Sequence, residues 1–277
     1  MKPPWLKIPL RMDFHYTQVK KTLIEEKVAT VCVEARCPNR LNCWSKSGMT
    51  FMILGTICTR KCKFCAVNSG NPKQKIDFAE AERIIRVIKK LGLNQVIITS
   101  VTRDDLADGG AGHFAYVISE VRKTFFSDVK IEVLVPDFQG DLKAIRSVLD
   151  AGPDIFAHNI ETVKRLTPLI RDPRAQYQRS LKILEFAAQT NPQIDIKSGF
   201  MIGLGETEEE IKETIRDLKN AGVKILTIGQ YLRPAPNLVP VSKYYPPEKF
   251  QEYQDFAFKE GFKHVRAGPL IRSSYII

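Results

Sequence analysis

From Phe51 onward, short apolar runs rich in β-branched residues alternate with longer stretches in which apolar residues return every three or four positions. This is the pattern of repeated βα units around a parallel sheet. The runs predict strands over Phe51–Thr56, Gln95–Ser100, Lys130–Val135, Asp154–Asn159, Asp195–Ile202 and Lys224–Ile228. That number is too small to close an eight-stranded barrel, so the expected fold class is α/β, a partial (β/α)6 TIM-type barrel. Among the intervening helices, Ile84, Ile85, Ile88 and Leu91 form one apolar face, while Glu82, Arg83, Lys89 and Lys90 mostly cover the other. Thr207 followed by Glu210 is a capping box, with Ile211, Ile215 and Leu218 on one face and Gly222 past the end.

The first 50 residues read differently. Pro3, Pro4, Pro9 and Pro38 punctuate them, and amphipathic periodicity is confined to about Val19–Val28. The expected organisation is an N-terminal extension over 1–50, a barrel over 51–262 and a short C-terminal tail over 263–277 covering the barrel mouth.

Composition adds bounds rather than detail. A chain of 277 residues that is 44% hydrophobic can bury one large core. No apolar run approaches the roughly 20 residues of a membrane-spanning helix. The start Met1-Lys2-Pro3-Pro4-Trp5 lacks the apolar stretch of a secretory signal. The expectation is a soluble protein without a membrane partner, cytoplasmic unless an organellar transit peptide has been removed. The net charge of +11 favours acidic partners. Its cations are spread along the chain with no zinc-finger, RNA-recognition or helix-turn-helix signature, so nucleic acid is not expected. An acidic carrier protein or a polyanionic small molecule fits the charge equally well.

The chemistry is concentrated in six cysteines, all between Cys32 and Cys65. A disulfide framework would not cluster this way in a large intracellular protein. Cys58, Cys62 and Cys65 form C-x3-C-x2-C directly after the first predicted strand, hence in the first βα loop. Cys32, Cys37 and Cys43 form C-x4-C-x5-C in the extension. Thiolates also suit zinc, but structural zinc closes with four ligands and each triplet offers three, with no histidine at finger spacing. Three thiolates on one loop leave an iron of an iron-sulfur cluster open to a substrate or an unusual ligand.

C-x3-C-x2-C with Phe64 before its last cysteine resembles the signature of the radical S-adenosylmethionine superfamily. The upstream triplet, with Arg272-Ser273-Ser274-Tyr275 near the C-terminus, resembles the lipoyl synthase family. The likeness extends through Val101-Thr102-Arg103-Asp104-Asp105-Leu106, Leu134-Val135-Pro136-Asp137-Phe138, His158-Asn159-Ile160-Glu161-Thr162, Lys197-Ser198-Gly199 and Gly229-Gln230-Tyr231-Leu232. The resemblance implies two four-iron four-sulfur clusters and S-adenosylmethionine as cofactors. Cys58, Cys62 and Cys65 would hold the cluster that binds S-adenosylmethionine. Cys32, Cys37 and Cys43 would hold an auxiliary cluster whose fourth ligand is a serine hydroxyl, Ser274, with Ser273 as the alternative. The implied reaction inserts sulfur from that auxiliary cluster at C6 and C8 of an octanoyl chain on a protein lysine. The implied partners are octanoylated lipoyl carrier domains or the glycine-cleavage carrier, a low-potential donor such as ferredoxin or flavodoxin, and cluster-assembly proteins. The family runs on past the tyrosine, whereas this chain ends Tyr275-Ile276-Ile277, so contacts made by that tail are expected to be missing or replaced.

Other residues take roles from the same resemblance. Gly199 to Glu206, with Gly203 and Glu206, resembles the fifth-strand element that packs adenine; a full G-x-G-x-x-G is absent, and tight-turn glycines explain the same residues physically. Asn159 and Glu161 resemble a ribose-binding element, and an amide with a carboxylate suits ribose hydroxyls, although a helix cap would read the same way. Arg179 resembles the arginine that reaches the methionine carboxylate. Arg103, Asp104, Asp105 and Asp108 suggest loop and cofactor positioning rather than acid-base work or magnesium. His15, His113 and His264 are expected to be structural, and His158 to line the pocket. A methylthiotransferase-like relative predicts an appendage domain for which too few residues follow Ile228, and a cluster carrier or zinc scaffold leaves the barrel pattern without a use.

Overall fold

The computed structural model describes residues 3–7, 13–45, 48–73 and 75–274. The chain divides into two units: a first of Ile8–Arg60 and Ala66–Ile155, and a second of Met1–Lys7, Lys61–Cys65 and Phe156–Ile277.

The first unit opens with α1 (Phe14–Glu25), α2 (Val31–Glu34) and α3 (Arg40–Trp44). It continues with β1 (Thr50–Ile53), β2 (Ile57–Cys58), β3 (Asn68–Ser69), α4 (Ala79–Leu91), β4 (Gln95–Ser100), α5 (Ala111–Phe125), β5 (Lys130–Leu134) and α6 (Leu142–Asp150). β4 pairs in parallel with β1 on one side and β5 on the other. α4 buries Ala81, Ile84, Val87 and Ile88 and carries acids in its first turn and lysines in its last, both matched to the helix dipole. The N-terminal segment is fastened to this unit by Thr30 bridging Phe51 and by Glu26, which accepts from Arg86 and Lys90 at 2.6 Å each.

β6 (Ile155–Ala157) begins in the first unit and ends in the second. The second unit then runs through α7 (Thr167–Ile170), α8 (Tyr177–Thr190), β7 (Asp195–Ile202), α9 (Glu208–Asn220), β8 (Ile225–Gln230), α10 (Pro247–Lys259) and β9 (His264–Gly268). β8 lies parallel between β7 and β9. The capping box at Thr207 and Glu210 is formed as the sequence predicts. Apart from β2 and β3, which pair with each other, the strands follow one another through a seven-stranded parallel sheet in chain order.

The expectation of six strands is therefore corrected to seven. The missed strand, β9, has only Val265 buried, so it shows neither an apolar run nor clear alternation. It lies within residues expected to form only a tail. The first strand is also shorter than expected, because Leu54 and Gly55 take positive φ and turn the chain out of the sheet. Leu54 is held there from both sides: its N–H donates to Glu80, and its carbonyl accepts from Arg103 at 3.1 Å.

Candidate functional site: two cysteine triplets and a strand-end cradle

Cys58 ends β2, whose pairing with β3 is extended by Gly70 N–H donating to the Cys58 carbonyl at 2.9 Å. Two residues on, Arg60 is buried and donates to two carboxylates. Its guanidinium is bidentate to Asp137 at 2.6 and 2.8 Å and to Asp104 at 2.8 and 2.9 Å. Burial works against the Arg60 cation, but the two carboxylates outweigh it and hold its pKa above the ordinary arginine value. Thr59 donates to Asp104 at 3.1 Å, and the Arg60 N–H points at the Cys58 sulfur at 3.4 Å. Asp104 thus braces the residues that follow Cys58. Arg103 pairs with Asp105 at 2.8 Å, and Asp108 caps α5 through the N–H groups of Gly110 and Gly112.

In the second unit, Cys62 and Cys65 are linked by a turn in which the Cys65 N–H donates to the Cys62 carbonyl at 3.2 Å. The Asp172 N–H donates to the Cys62 sulfur at 3.3 Å, and the Asp172 carboxylate accepts from the Lys61 N–H at 2.8 Å. Burial would raise the Asp172 pKa, yet hydrogen bonds from Arg174 and the Lys61 and Arg174 N–H groups hold it well below the carboxylate range. Phe64, between the two cysteines, is half-buried.

The ends of β6, β7 and β8 form a polar cradle in the same unit. Asn159 Oδ1 is buried with no hydrogen-bond partner among the described residues. Glu161 follows at positive φ and bridges β7, its N–H donating to Gly199 and its carbonyl accepting from Met201. Burial raises the Glu161 pKa, opposed by the Arg171 charge and a hydrogen bond from Asn159. A Cβ at Gly199 would collide with Thr227 Oγ1 and crowd the Thr227 carbonyl at 3.2 Å. Gly203 has φ +104°, and a Cβ on it would strike the Gln230 amide and the Lys243 carbonyl. Glu206 closes the turn after β7 by accepting from the Gly203 and Leu204 N–H groups at 2.5 and 2.9 Å.

Arg179 is half-buried and donates to the Arg174 carbonyl at 2.7 Å. The more deeply buried arginine of this stretch is Arg171, which donates to Ser180 at 3.0 Å; Ser180 also meets His158 at 2.9 Å. Sequence reasoning gave no role to Arg171 or to Gln230, a buried amide that donates to the Ile202, Tyr231 and Lys243 carbonyls and accepts from the Tyr245 N–H. A polar side chain at the end of the buried strand β8 is the signal that marks Gln230. Of the histidines expected to be structural, His113 is buried against Glu80 at 2.8 Å.

The upstream triplet lies in the first unit on short helices. Cys32 is in α2, the Cys37 N–H donates to the Cys32 carbonyl, and Cys43 is in α3. Burial pushes the Cys32 thiol up, opposed by the Thr50 backbone and Trp44. Trp44 stacks on Tyr16 with ring centres 5.5 Å apart and has Arg40 over its face. Ser273 and Ser274 are half-buried in the second unit, after Arg272, which donates to the Gln230 carbonyl at 3.4 Å. Tyr275 lies outside the described residues.

All six thiols are free of disulfides. Among the described residues no three Cys, His, Asp or Glu side chains are gathered so as to hold a metal ion. The fit to iron-sulfur clusters rests on donor chemistry: two sets of three soft thiolates, one of them on a βα loop. For S-adenosylmethionine it rests on the orphan Asn159 acceptor and the glycine-lined approach at Gly199 and Gly203. Among the described residues no helix is long and apolar enough to cross a membrane.

A family model described as the radical SAM superfamily matches residues 52–218. In fold, the chain is similar to the crystal structure of methylornithine synthase (PylB), with a TM-score of 0.57 at 15% identity over 77% of this chain and 69% of that one. The class is therefore a radical S-adenosylmethionine enzyme on a partial α/β barrel. The lipoyl synthase of Thermus thermophilus is 53% identical over 99% of this chain and 84% of its own length. That of Rubrobacter xylanophilus is 51% identical over the same shares. The chain belongs to the lipoyl synthase family, a group of radical S-adenosylmethionine sulfurtransferases.

Proposed function

We propose that the protein forms the lipoyl group by inserting two sulfur atoms, at C6 and C8, into an octanoyl chain carried on a lysine of a lipoyl carrier domain or the glycine-cleavage carrier. The observation that carries this reading is likeness to lipoyl synthases along 99% of the chain. Cys58, Cys62 and Cys65 hold one four-iron four-sulfur cluster. Cys32, Cys37 and Cys43 hold a second, the sulfur source, with Ser274 or its neighbour Ser273 as fourth ligand. When bound, the first cluster supplies the low-potential electron that breaks the sulfonium of S-adenosylmethionine into methionine and a 5′-deoxyadenosyl radical.

The chain's own residues bind and orient. Asn159 Oδ1, otherwise unsatisfied, accepts from a ribose hydroxyl, and Glu161 beside it takes a second. Glu206 fixes the Gly203–Leu204 turn so that the adenine lies against backbone rather than side chain. Phe64 shields the cysteine loop, and Arg179 serves the methionine carboxylate. A ferredoxin or flavodoxin supplies electrons in the cytoplasm, and cluster-assembly proteins rebuild the second cluster.

The test is anaerobic reconstitution, iron and sulfide counting, and incubation with S-adenosylmethionine, dithionite and an octanoyl-lysine peptide. About eight irons per chain, deoxyadenosine and a dithiolated peptide are expected. Deoxyadenosine with no sulfur in the peptide at full iron loading would overturn the sulfur-insertion reading.

A further inference from the structure

Charge is segregated around the loop that carries Cys62 and Cys65. Three segments of the second unit meet there through backbone hydrogen bonds: the Lys63 N–H donates to the Ile170 carbonyl at 2.8 Å, and the Lys63 carbonyl accepts from the Val239 N–H at 3.0 Å. Lys61 and Lys63 flank Cys62 and are exposed. Arg174 is exposed on the second segment, and Arg233 and Lys243 on the third. The only carboxylate in residues 61–65, 166–176 and 231–244 is Asp172, which is buried and neutralised by Arg174. Arg233 also donates to the Leu238 carbonyl at 2.7 Å, which sets the third segment beside the residue that meets Lys63.

The third segment has no helix or strand from Tyr231 to Pro246 and contains Pro234, Pro236 and Pro240. Proline fixes backbone φ and removes donors, so such a segment holds its shape without offering an edge to pair. A fixed, predominantly cationic rim beside a cysteine loop suits a negatively charged protein surface.

We propose that this rim, with Lys61, Lys63, Arg174, Arg233 and Lys243 as its exposed cations, is the docking surface for an acidic one-electron carrier protein of the flavodoxin class. The inference rests on the reading that Cys58, Cys62 and Cys65 hold the cluster that reduces S-adenosylmethionine. Electron transfer weakens steeply with distance, so the donor has to sit against the loop that holds the acceptor. In the step served, one electron leaves the reduced flavin, which is oxidised by one unit. It ends in the S–C5′ bond of S-adenosylmethionine, which breaks to methionine and the 5′-deoxyadenosyl radical. The octanoylated carrier is the other partner of the proposed function, and its binding is the control.

The test uses the reconstituted full chain and the charge-reversing pair Lys63→Glu with Lys243→Glu, against the charge-keeping pair Lys63→Arg with Lys243→Arg. The Lys63 side chain is exposed, and that of Lys243 lies over the Tyr245 ring at 4.8 Å. Binding of an acidic flavodoxin is measured by biolayer interferometry at low and high salt, beside binding of an octanoylated glycine-cleavage carrier. Deoxyadenosine formation is measured with flavodoxin and, separately, with dithionite, which needs no docking surface. The reversing pair is expected to weaken flavodoxin binding about tenfold or more at low salt, with the difference shrinking as salt rises. Carrier binding and dithionite-driven turnover are expected to hold, and the arginine pair to behave as the parent. Unchanged flavodoxin binding, or loss of carrier binding instead, overturns the proposal. An equal loss with dithionite also overturns it, by placing the charge effect on the cluster. A parent protein that makes no deoxyadenosine with dithionite defeats the underlying reading instead.

Discussion

The two cysteine triplets rest on supports of different kinds. The Cys58 to Cys65 loop is braced by buried charge: Arg60 between Asp104 and Asp137 in one unit, and Asp172 beneath Lys61 and Cys62 in the other. The Cys32 to Cys43 segment rests on short helices, a Tyr16–Trp44 stack and an arginine over that tryptophan. Buried ion pairs add little net stability against an apolar alternative, but they specify one geometry. Under the proposed function, the difference would suit a first cluster that has to present one iron to S-adenosylmethionine in a fixed pose, and a second that gives up sulfur.

The most severe way to break this contrast is Arg60→Ala, which leaves Asp104 and Asp137 buried without their cation. A loss of about 3–5 kcal/mol is expected in urea unfolding; a loss below about 1 kcal/mol would mean that the brace is not buried in the working protein. Next comes Gly203→Ala, which sets a methyl group against the Gln230 amide in a left-handed backbone. About 1–3 kcal/mol of strain is expected, read as weaker S-adenosylmethionine binding by calorimetry with iron content unchanged.

The Asp172 brace is probed by pH. Its lowered pKa adds stability above the unfolded carboxylate value near about 4, and that stability is lost as pH falls through the folded value. Asp172→Asn is therefore expected to flatten the acid limb of a stability–pH curve and leave its alkaline limb alone. The smallest effect belongs to the second triplet: Arg40→Ala removes only a half-exposed cation from the Trp44 face. About 0.5–1 kcal/mol is expected in the same unfolding experiment.

Much of this was legible in the sequence because it follows from local pattern. Short apolar runs with β-branched residues marked β1, β4 and β5, the Thr207–Glu210 box marked α9, and the cysteine spacing marked both triplets. β9 escaped because an edge strand with one buried residue carries no period to read. Arg60 gave no signal because its meaning depends on Asp104 and Asp137, 44 and 77 residues away. Arg171 was likewise invisible, since a buried cation is recognised by what it meets after folding, and Gln230 showed only as a polar residue at the end of β8. Glu206, by contrast, was singled out from a glycine-rich element, and the structure gives it a specific local task in closing the turn after β7.

The central claim is that the triplets do unequal work. It is tested most directly by replacing Cys32, Cys37 and Cys43 with alanine together, reconstituting the protein, and measuring iron, deoxyadenosine and sulfur insertion in one preparation. The account predicts about four irons per chain, deoxyadenosine formed with dithionite, and no sulfur in an octanoyl-lysine peptide. Sulfur insertion by that variant, or a folded variant with the remaining cluster intact and no deoxyadenosine, would contradict it.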